Sequence, residues 1–274
     1  PCINIIKKKD IKKVYFAFND TDIRTSNKAI TELKKKNIIA THKKIKKFSS
    51  FYDSYFINKK NFLPLLDAKI ALSKDYYTIN KKKNKWITNN FSRRKAHLIR
   101  TEYDSIMSTS KSINKDNSLL NCRLNGLNTN KPDLIIIDLK LKIKKYLNLF
   151  NLPKKRKISI VTLNNKSGKA IYLKKKGVNL IKIDSLDSKS DFINLLKKLK
   201  KSGFNRILIE TGLKFLNKLL VNKLISNLYI FKSSTNLGKN GLNNSSVNLV
   251  KKFNISNKVK VYLNGDNLFK VKVK

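Results

Sequence analysis

The chain has 274 residues, with 62 Lys and Arg against 17 Asp and Glu, a formal net charge of +45. That excess points first to a nucleic-acid partner, but it is spread from end to end and only seven of the cations are Arg (24, 93, 94, 100, 123, 156 and 206), so it reads as solvated surface and a polycationic nucleic-acid binder stays as an alternative. A 41% hydrophobic content excludes a disordered polycation, no apolar run approaches the ~20 residues of a membrane helix, and two widely separated Cys fit a reducing cytoplasm.

Val14, Phe16 and Phe18 alternate over residues 12–20, which predicts a strand ending at Asn19-Asp20. A helix is expected at about 26–36, a short strand at 38–40, and a Lys- and aromatic-rich helix or linker at 43–60. The polar run Asn58-Lys59-Lys60-Asn61 ahead of Pro64 marks a domain boundary, giving units 1–60 and 61–274. Strand 65–72, helix 90–103 and strand 104–108 open the second unit, and a Ser/Asn-rich loop leads to strand 133–138. Strand 157–163, helix 168–176, strand 178–183 and helix 190–201 follow. Phe192, Leu195, Leu196 and Leu199 form the apolar stripe of that last helix, which stops at Gly203. Next come strand 205–210, helix 212–222 and strand 226–233. The end, 258–263 and 267–273 around Asn264-Gly265, reads as a hairpin. Strands alternating with helices predict an α/β sheet with antiparallel strands added at the end. The chain opens on Pro rather than Met and is expected to begin inside a longer reading frame.

No G-x-G-x-x-G, P-loop or nucleophile elbow is present. His42 and His97 fall among lysines and are expected at the surface. Against the Lys background a retained Arg marks a place where an ammonium will not serve. Arg100 and Arg123, beside the polar loop 109–118, read either as ion pairs and caps or as forks on phosphate or carboxylate. Trp86 precedes a helix capped by Thr88 or Asn89, and reads as a core residue or as a flat wall for a planar ring. Glu210 stands at the carboxyl end of a buried strand, where ligand crevices of α/β sheets open. Gly212 starts the next helix, with backbone N–H groups able to face a phosphate.

Taken together, these residues resemble the bifunctional deaminase/reductase family of riboflavin biosynthesis. Pro64…Lys69-Ile-Ala71-Leu-Ser73-Lys-Asp75 is similar to the family's P-x-x-x-x-K-x-A-x-S-L-D-G, and Lys85-Trp86-Ile87-Thr88 to its S-x-W-I-T turn. Arg93…His97-Leu98-Ile99-Arg100…Asp104-Ser105-Ile106 follows R-x-x-x-H-x-L-R-x-x-x-D-A-I. Asp116…Leu119…Arg123 falls on D-D-P-x-L-x-x-R, and Glu210-Thr211-Gly212 on E-G-G. Five matches in order and spacing are specific.

The resemblance implies a dihydrofolate-reductase-like reductase domain over 61–274, preceded by the tail of a cytidine-deaminase-like α/β domain plus linker over 1–60. It implies NADPH-dependent hydride transfer to the ribose C1′ of 5-amino-6-(5-phosphoribosylamino)uracil, giving the ribitylamino product. Carried over by position, Lys69, Asp116 and Glu210 would be the catalytic groups. Asn84, Arg100, Leu119, Arg123 and Glu210 would hold the substrate. Ala71, Trp86, Ser112, Asp116, Gly212, Leu213, Lys214 and Phe215 would line the dinucleotide. Pro1-Cys2 matches the second Pro-Cys of the zinc domain, so Cys2 would be one ligand of an incomplete zinc site, and no deaminase activity is expected of this chain. A cytoplasmic homodimer is implied. The chain departs from the family at Tyr76 and Thr211, where glycines are replaced, and at Ser226-Asn227, where two acids are lost. A same-fold reductase with another substrate, or a degraded copy, is the nearer alternative.

Overall fold

The computed structural model describes residues 2–273 except 23, 27, 46–48, 83–85, 128–131, 152–155, 246–254 and 256–257. The chain divides into two units, Pro1–Pro64 and Leu65–Lys274. In the first, α1 (Cys2–Lys8), β1 (Lys13–Phe16), α2 (Lys28–Lys35), β2 (Ile39–His42) and α3 (Ser49–Asn61) follow in order. β1 and β2 pair in parallel, with Val14 opposite Ala40. Leu33 and Ile38 are buried, while Tyr15, Ile39 and Phe51 stand exposed.

The second unit is built on an eight-stranded sheet. Its elements are β3 (Leu65–Leu72), β4 (Tyr77–Asn80), α4 (Asn90–Arg100), β5 (Ser105–Thr109), α5 (Ser110–Asp116) and β6 (Asp133–Ile137), then β7 (Ile158–Thr162), α6 (Gly168–Lys175), β8 (Asn179–Lys182) and α7 (Lys189–Lys201). β9 (Arg206–Ile209), α8 (Leu213–Val221), β10 (Asn227–Lys232), β11 (Gly241–Asn244) and β12 (Asn267–Lys272) complete it. The order is β12-β10-β3-β9-β5-β6-β7-β8, with β4 and β11 forming a separate ribbon. All neighbours in the large sheet are parallel except β12, which runs antiparallel to β10. Central parallel strands are covered on both faces, and Leu134-Ile135-Ile136-Ile137 are accordingly all buried. α7 is held by a capping box of Ser188 and Asp191, buries Phe192, Leu195, Leu196 and Leu199, and ends before Gly203 at φ +96.

Helix α1 and the β4–β11 ribbon were not expected from the sequence, and two further stretches differ from the expectation. α5 lies inside the predicted Ser/Asn-rich loop; of its seven residues only Ser110 and Ile113 are buried, which leaves almost no apolar period to read. The predicted strand 258–263 is reduced to one bridge, Lys258 to Phe269, with Val259 N–H donating to Leu268 C=O at 2.8 Å. Asn264 and Gly265 do adopt the paired positive φ values of a tight hairpin turn (+47 and +87). Asp266 beside that turn accepts from Asn89 N–H (2.9 Å), Ser92 Oγ (2.7 Å) and Ser234 N–H (3.2 Å). The turn is thus anchored to the start of α4, not to a long ladder.

Candidate active site

Register places the central charges. β3 and β9 are parallel with Ala68 opposite Ile209, so the next residues along, Lys69 and Glu210, meet at the carboxyl end of β9. Lys69 Nζ lies 3.0 Å from Glu210 Oε2. Arg100, at the end of α4, closes on the same carboxylate: Nε donates to Oε1 at 2.6 Å and Nη2 to Oε2 at 3.0 Å. Burial alone would raise the Glu210 pKa, but the charges and hydrogen bonds of Arg100 and Lys69 outweigh it and hold the carboxyl well below the usual carboxylate range. The triad carries one net positive charge.

This cluster forms one wall of an open cavity of about 860 Å³, which Ala71, Trp86, His97, Asp116, Arg123 and Phe231 also line. Trp86 is 60% exposed, with the Arg93 guanidinium 4.6 Å over its ring. It is therefore a wall of the cavity and not a core residue; the core expectation is corrected. His97 is likewise no bland surface residue. Its Nδ1 lies 3.3 Å from the Arg123 backbone N–H and 3.4 Å from Arg100 Nη1. Burial, then the charges of Arg100 and Arg123, push its pKa down to about 4. The signal for it was present in the sequence: Arg93, His97 and Arg100 are spaced i, i+4, i+7 and share one helix face.

Arg100 does not extend a free fork toward a ligand. Its side chain is 11% exposed, and Nη1 donates to Asn121 C=O at 3.0 Å. Its fork is taken by Glu210, the carboxylate alternative of the sequence reading, while the residue still lines the cavity. Arg123 is more open, with Nη1 donating to Asn121 Oδ1 at 2.8 Å. Leu119 is not among the cavity-lining residues, and its carbonyl accepts from Arg156. Asn84 lies outside the described residues.

Beside this cavity, Thr109 caps α5 by accepting from Ser112 N–H at 3.3 Å, and Ser112 Oγ in turn accepts from Gly212 N–H at 3.3 Å. Gly212 is the N-cap of α8 and makes no side-chain cap bond. The first amides of α8 are consequently left without a capping side chain and form a donor set suited to an anion. Leu213 is buried and the Phe215 ring packs 6.1 Å from Phe192. Leu213 can therefore offer a ligand only backbone groups, while Phe215 is half-buried and Lys214 exposed. The Gly-to-Thr change at Thr211 carries no positive φ, whereas Tyr76 sits at φ +67 where the family motif has Gly. That turn is held by Ser73 Oγ donating to Asp75 Oδ1 (2.6 Å) and by the Leu237 and Gly238 amides donating to Asp75.

In the first unit, Cys2 is an exposed free thiol. Among the described residues no group of three or more His, Cys, Asp or Glu could hold a metal ion, so the residues present do not fit a zinc ion. No described helix is long and apolar enough to cross a membrane.

A mainly parallel sheet with its charged cleft at the strand carboxyl ends defines a dihydrofolate-reductase-like α/β domain. Residues 64–261 match the RibD C-terminal domain, and the chain belongs to that family. It is 28% identical to the riboflavin biosynthesis protein RibD of Buchnera aphidicola subsp. Baizongia pistaciae, over 87% of this chain and 66% of that protein. The chain thus spans just under two thirds of that relative. It is 32% identical to the 5-amino-6-(5-phosphoribosylamino)uracil reductase of Buchnera aphidicola subsp. Acyrthosiphon pisum, over 57% of this chain and 77% of that one. Among solved structures, Acinetobacter baumannii RibD superimposes with a TM-score of 0.81 at 19% identity, over 99% of this chain and 76% of that one, a likeness of fold.

Proposed function

We propose that the second unit is an NADPH-dependent reductase acting on 5-amino-6-(5-phosphoribosylamino)uracil in riboflavin biosynthesis. The observation that carries this reading is the Lys69–Glu210–Arg100 cluster in the wall of a cationic cavity, in a chain 32% identical to a protein named for that activity. A dinucleotide held there would supply the hydride for the sugar C1′. The protein's residues hold, orient and move protons. Lys69, fixed by Glu210, presents an ammonium proton for the ring oxygen released as the sugar opens, and Asp116 lines the same cavity as a second polar contact. Arg123 and the cavity's positive charge receive the 5-phosphate. The Trp86 ring and Ala71 flank a planar group. The uncapped amides of α8 and the Ser112 hydroxyl fit the dinucleotide's pyrophosphate.

In this reading residues 1–60 are the C-terminal part of a deaminase-like domain plus linker and 61–274 the reductase; the likeness to RibD covers 87% of this chain, more than the second unit alone supplies. The protein is a cytoplasmic homodimer. The test is NADPH oxidation followed at 340 nm with the phosphoribosylamino-pyrimidine substrate. Turnover is expected with NADPH and much less with NADH; a protein that binds NADPH yet leaves this substrate unchanged overturns the assignment. Arg123→Lys should raise substrate KM about tenfold through loss of bidentate bonding, and an unchanged KM would remove Arg123 from the phosphate site.

A further inference from the structure

Arg156 is buried and takes no part in the chemistry above. Among the described residues it has no carboxylate partner within ion-pair distance. Its two terminal nitrogens are spent instead on successive backbone carbonyls: Nη1 donates to Leu119 C=O and Nη2 to Leu120 C=O at 2.6 Å. Successive carbonyls of an extended chain point to opposite sides. Here both reach one guanidinium because Leu120 is held at φ +49, a left-handed conformation that a leucine adopts only at a cost. A forked, planar donor meets two such carbonyls together, and a single ammonium does not.

The residue after this clamp is Asn121, 3% exposed, and it holds both arginines of the cavity. Its carbonyl accepts from Arg100 Nη1 (3.0 Å) and its side-chain oxygen from Arg123 Nη1 (2.8 Å), while the Arg123 amide reaches His97 Nδ1 (3.3 Å). We propose that Arg156 is a positioning residue for the reductase site, fixing the strained 119–121 turn so that Asn121 sets Arg123 in place for the anionic end of the substrate and holds the Arg100–Glu210 pair beside it. After Arg100 and Arg123, Arg156 is thus one more of the seven arginines in a place that a Lys would not serve. It rests on the reductase reading for its substrate, but the geometry of the clamp does not.

Three measurements on wild type, Arg156→Lys and Arg156→Ala test it. The first is amide hydrogen exchange: residues 121–123 should exchange at least tenfold faster in Arg156→Lys, with β3 and β9 unchanged. The second is steady-state kinetics, where substrate KM should rise about tenfold with kcat within twofold and NADPH affinity unaltered. The third is the affinity for ribose 5-phosphate, read from Trp86 fluorescence, which should weaken about tenfold and recover in part when ethylguanidinium is added to Arg156→Ala. Unchanged exchange at 121–123 overturns the clamp. Loosened exchange with unchanged KM and ribose 5-phosphate affinity overturns the positioning role, as does a uniform loss of kcat, KM and NADPH binding in step with thermal stability. A wild type without turnover sinks the reductase reading, and the exchange and ribose 5-phosphate measurements then still decide the clamp.

Discussion

Glu210 is buried between two cations, and each consequence follows from that placement. Glu210→Gln strips Lys69 and Arg100 of their shared counter-charge, which should cost about 3 kcal/mol of stability and on the order of a hundredfold in kcat; urea denaturation and NADPH oxidation at neutral pH measure the two. Because its folded pKa is depressed, the wild-type advantage is full above the unfolded value of ~4.3 and shrinks as pH falls below it. Melting curves of the two proteins should therefore converge below about pH 4, and parallel curves would remove Glu210 from the buried pair. His97 behaves in the same sense at a higher window. With its pKa pushed down to about 4, the unfolded state takes up a proton first as pH drops from ~6.5, so stability falls between those values. His97→Gln should flatten that part of the stability profile, and a profile identical to wild type would show that His97 titrates normally. At this scale the sequence was partly legible. Lys69, Asp116 and Arg123 line the cavity with Glu210 buried behind Lys69; His97 was passed over although its helix-face spacing with Arg93 and Arg100 pointed to it, and Arg156 because nothing local distinguishes a clamp residue from a surface one.

Elements position these residues, and two glycines show how differently they constrain the chain. At Gly212 an added Cβ would meet only Ser112 Oγ at 3.8 Å, with φ −71, so Gly212→Ala should change stability by less than about 0.5 kcal/mol. At Gly241 the same Cβ would land in the Tyr77 ring across the β4–β11 ribbon, and Gly241→Ala should cost about 1–3 kcal/mol. Comparing their melting temperatures checks both, and an equal effect would show the Tyr77 contact to be loose. The β4–β11 ribbon escaped the sequence reading because its strands have no buried alternating face; Tyr77–Asn80 is half-buried throughout. Strands 65–72 and 133–137 were legible for the opposite reason, since burial on both faces makes them mostly apolar, with Asp67, Lys69 and Asp133 the exceptions. Helix α5 was not, yet it carries Ser112 and Asp116.

For the molecule as a whole, the charge of +45 is poorly compensated: ion pairs are few among the described residues, and most lie at the surface. Self-repulsion of such a surface weakens as salt screens it, so raising NaCl from about 0.02 M to about 0.5 M should raise Tm by several degrees. A flat or falling Tm would mean that the lysines are already offset. The same screening should weaken capture of a phosphorylated substrate, visible as a KM that climbs with salt while kcat holds.

The sequence by itself determined the α/β alternation, the strands of the central sheet, and the residue types that meet at its carboxyl edge, because burial imposes periodicity and motif spacing stands out against the Lys background. Only the tertiary structure decided how those residues divide their roles. Arg100 turns inward to Glu210, Arg123 stays at the cavity, Trp86 lies open beside Arg93, and Arg156 reaches 36 residues back to hold the turn between them. Those choices depend on contacts between segments far apart in the chain, set by strand register and by which buried polar group finds a partner, and no local pattern encodes them.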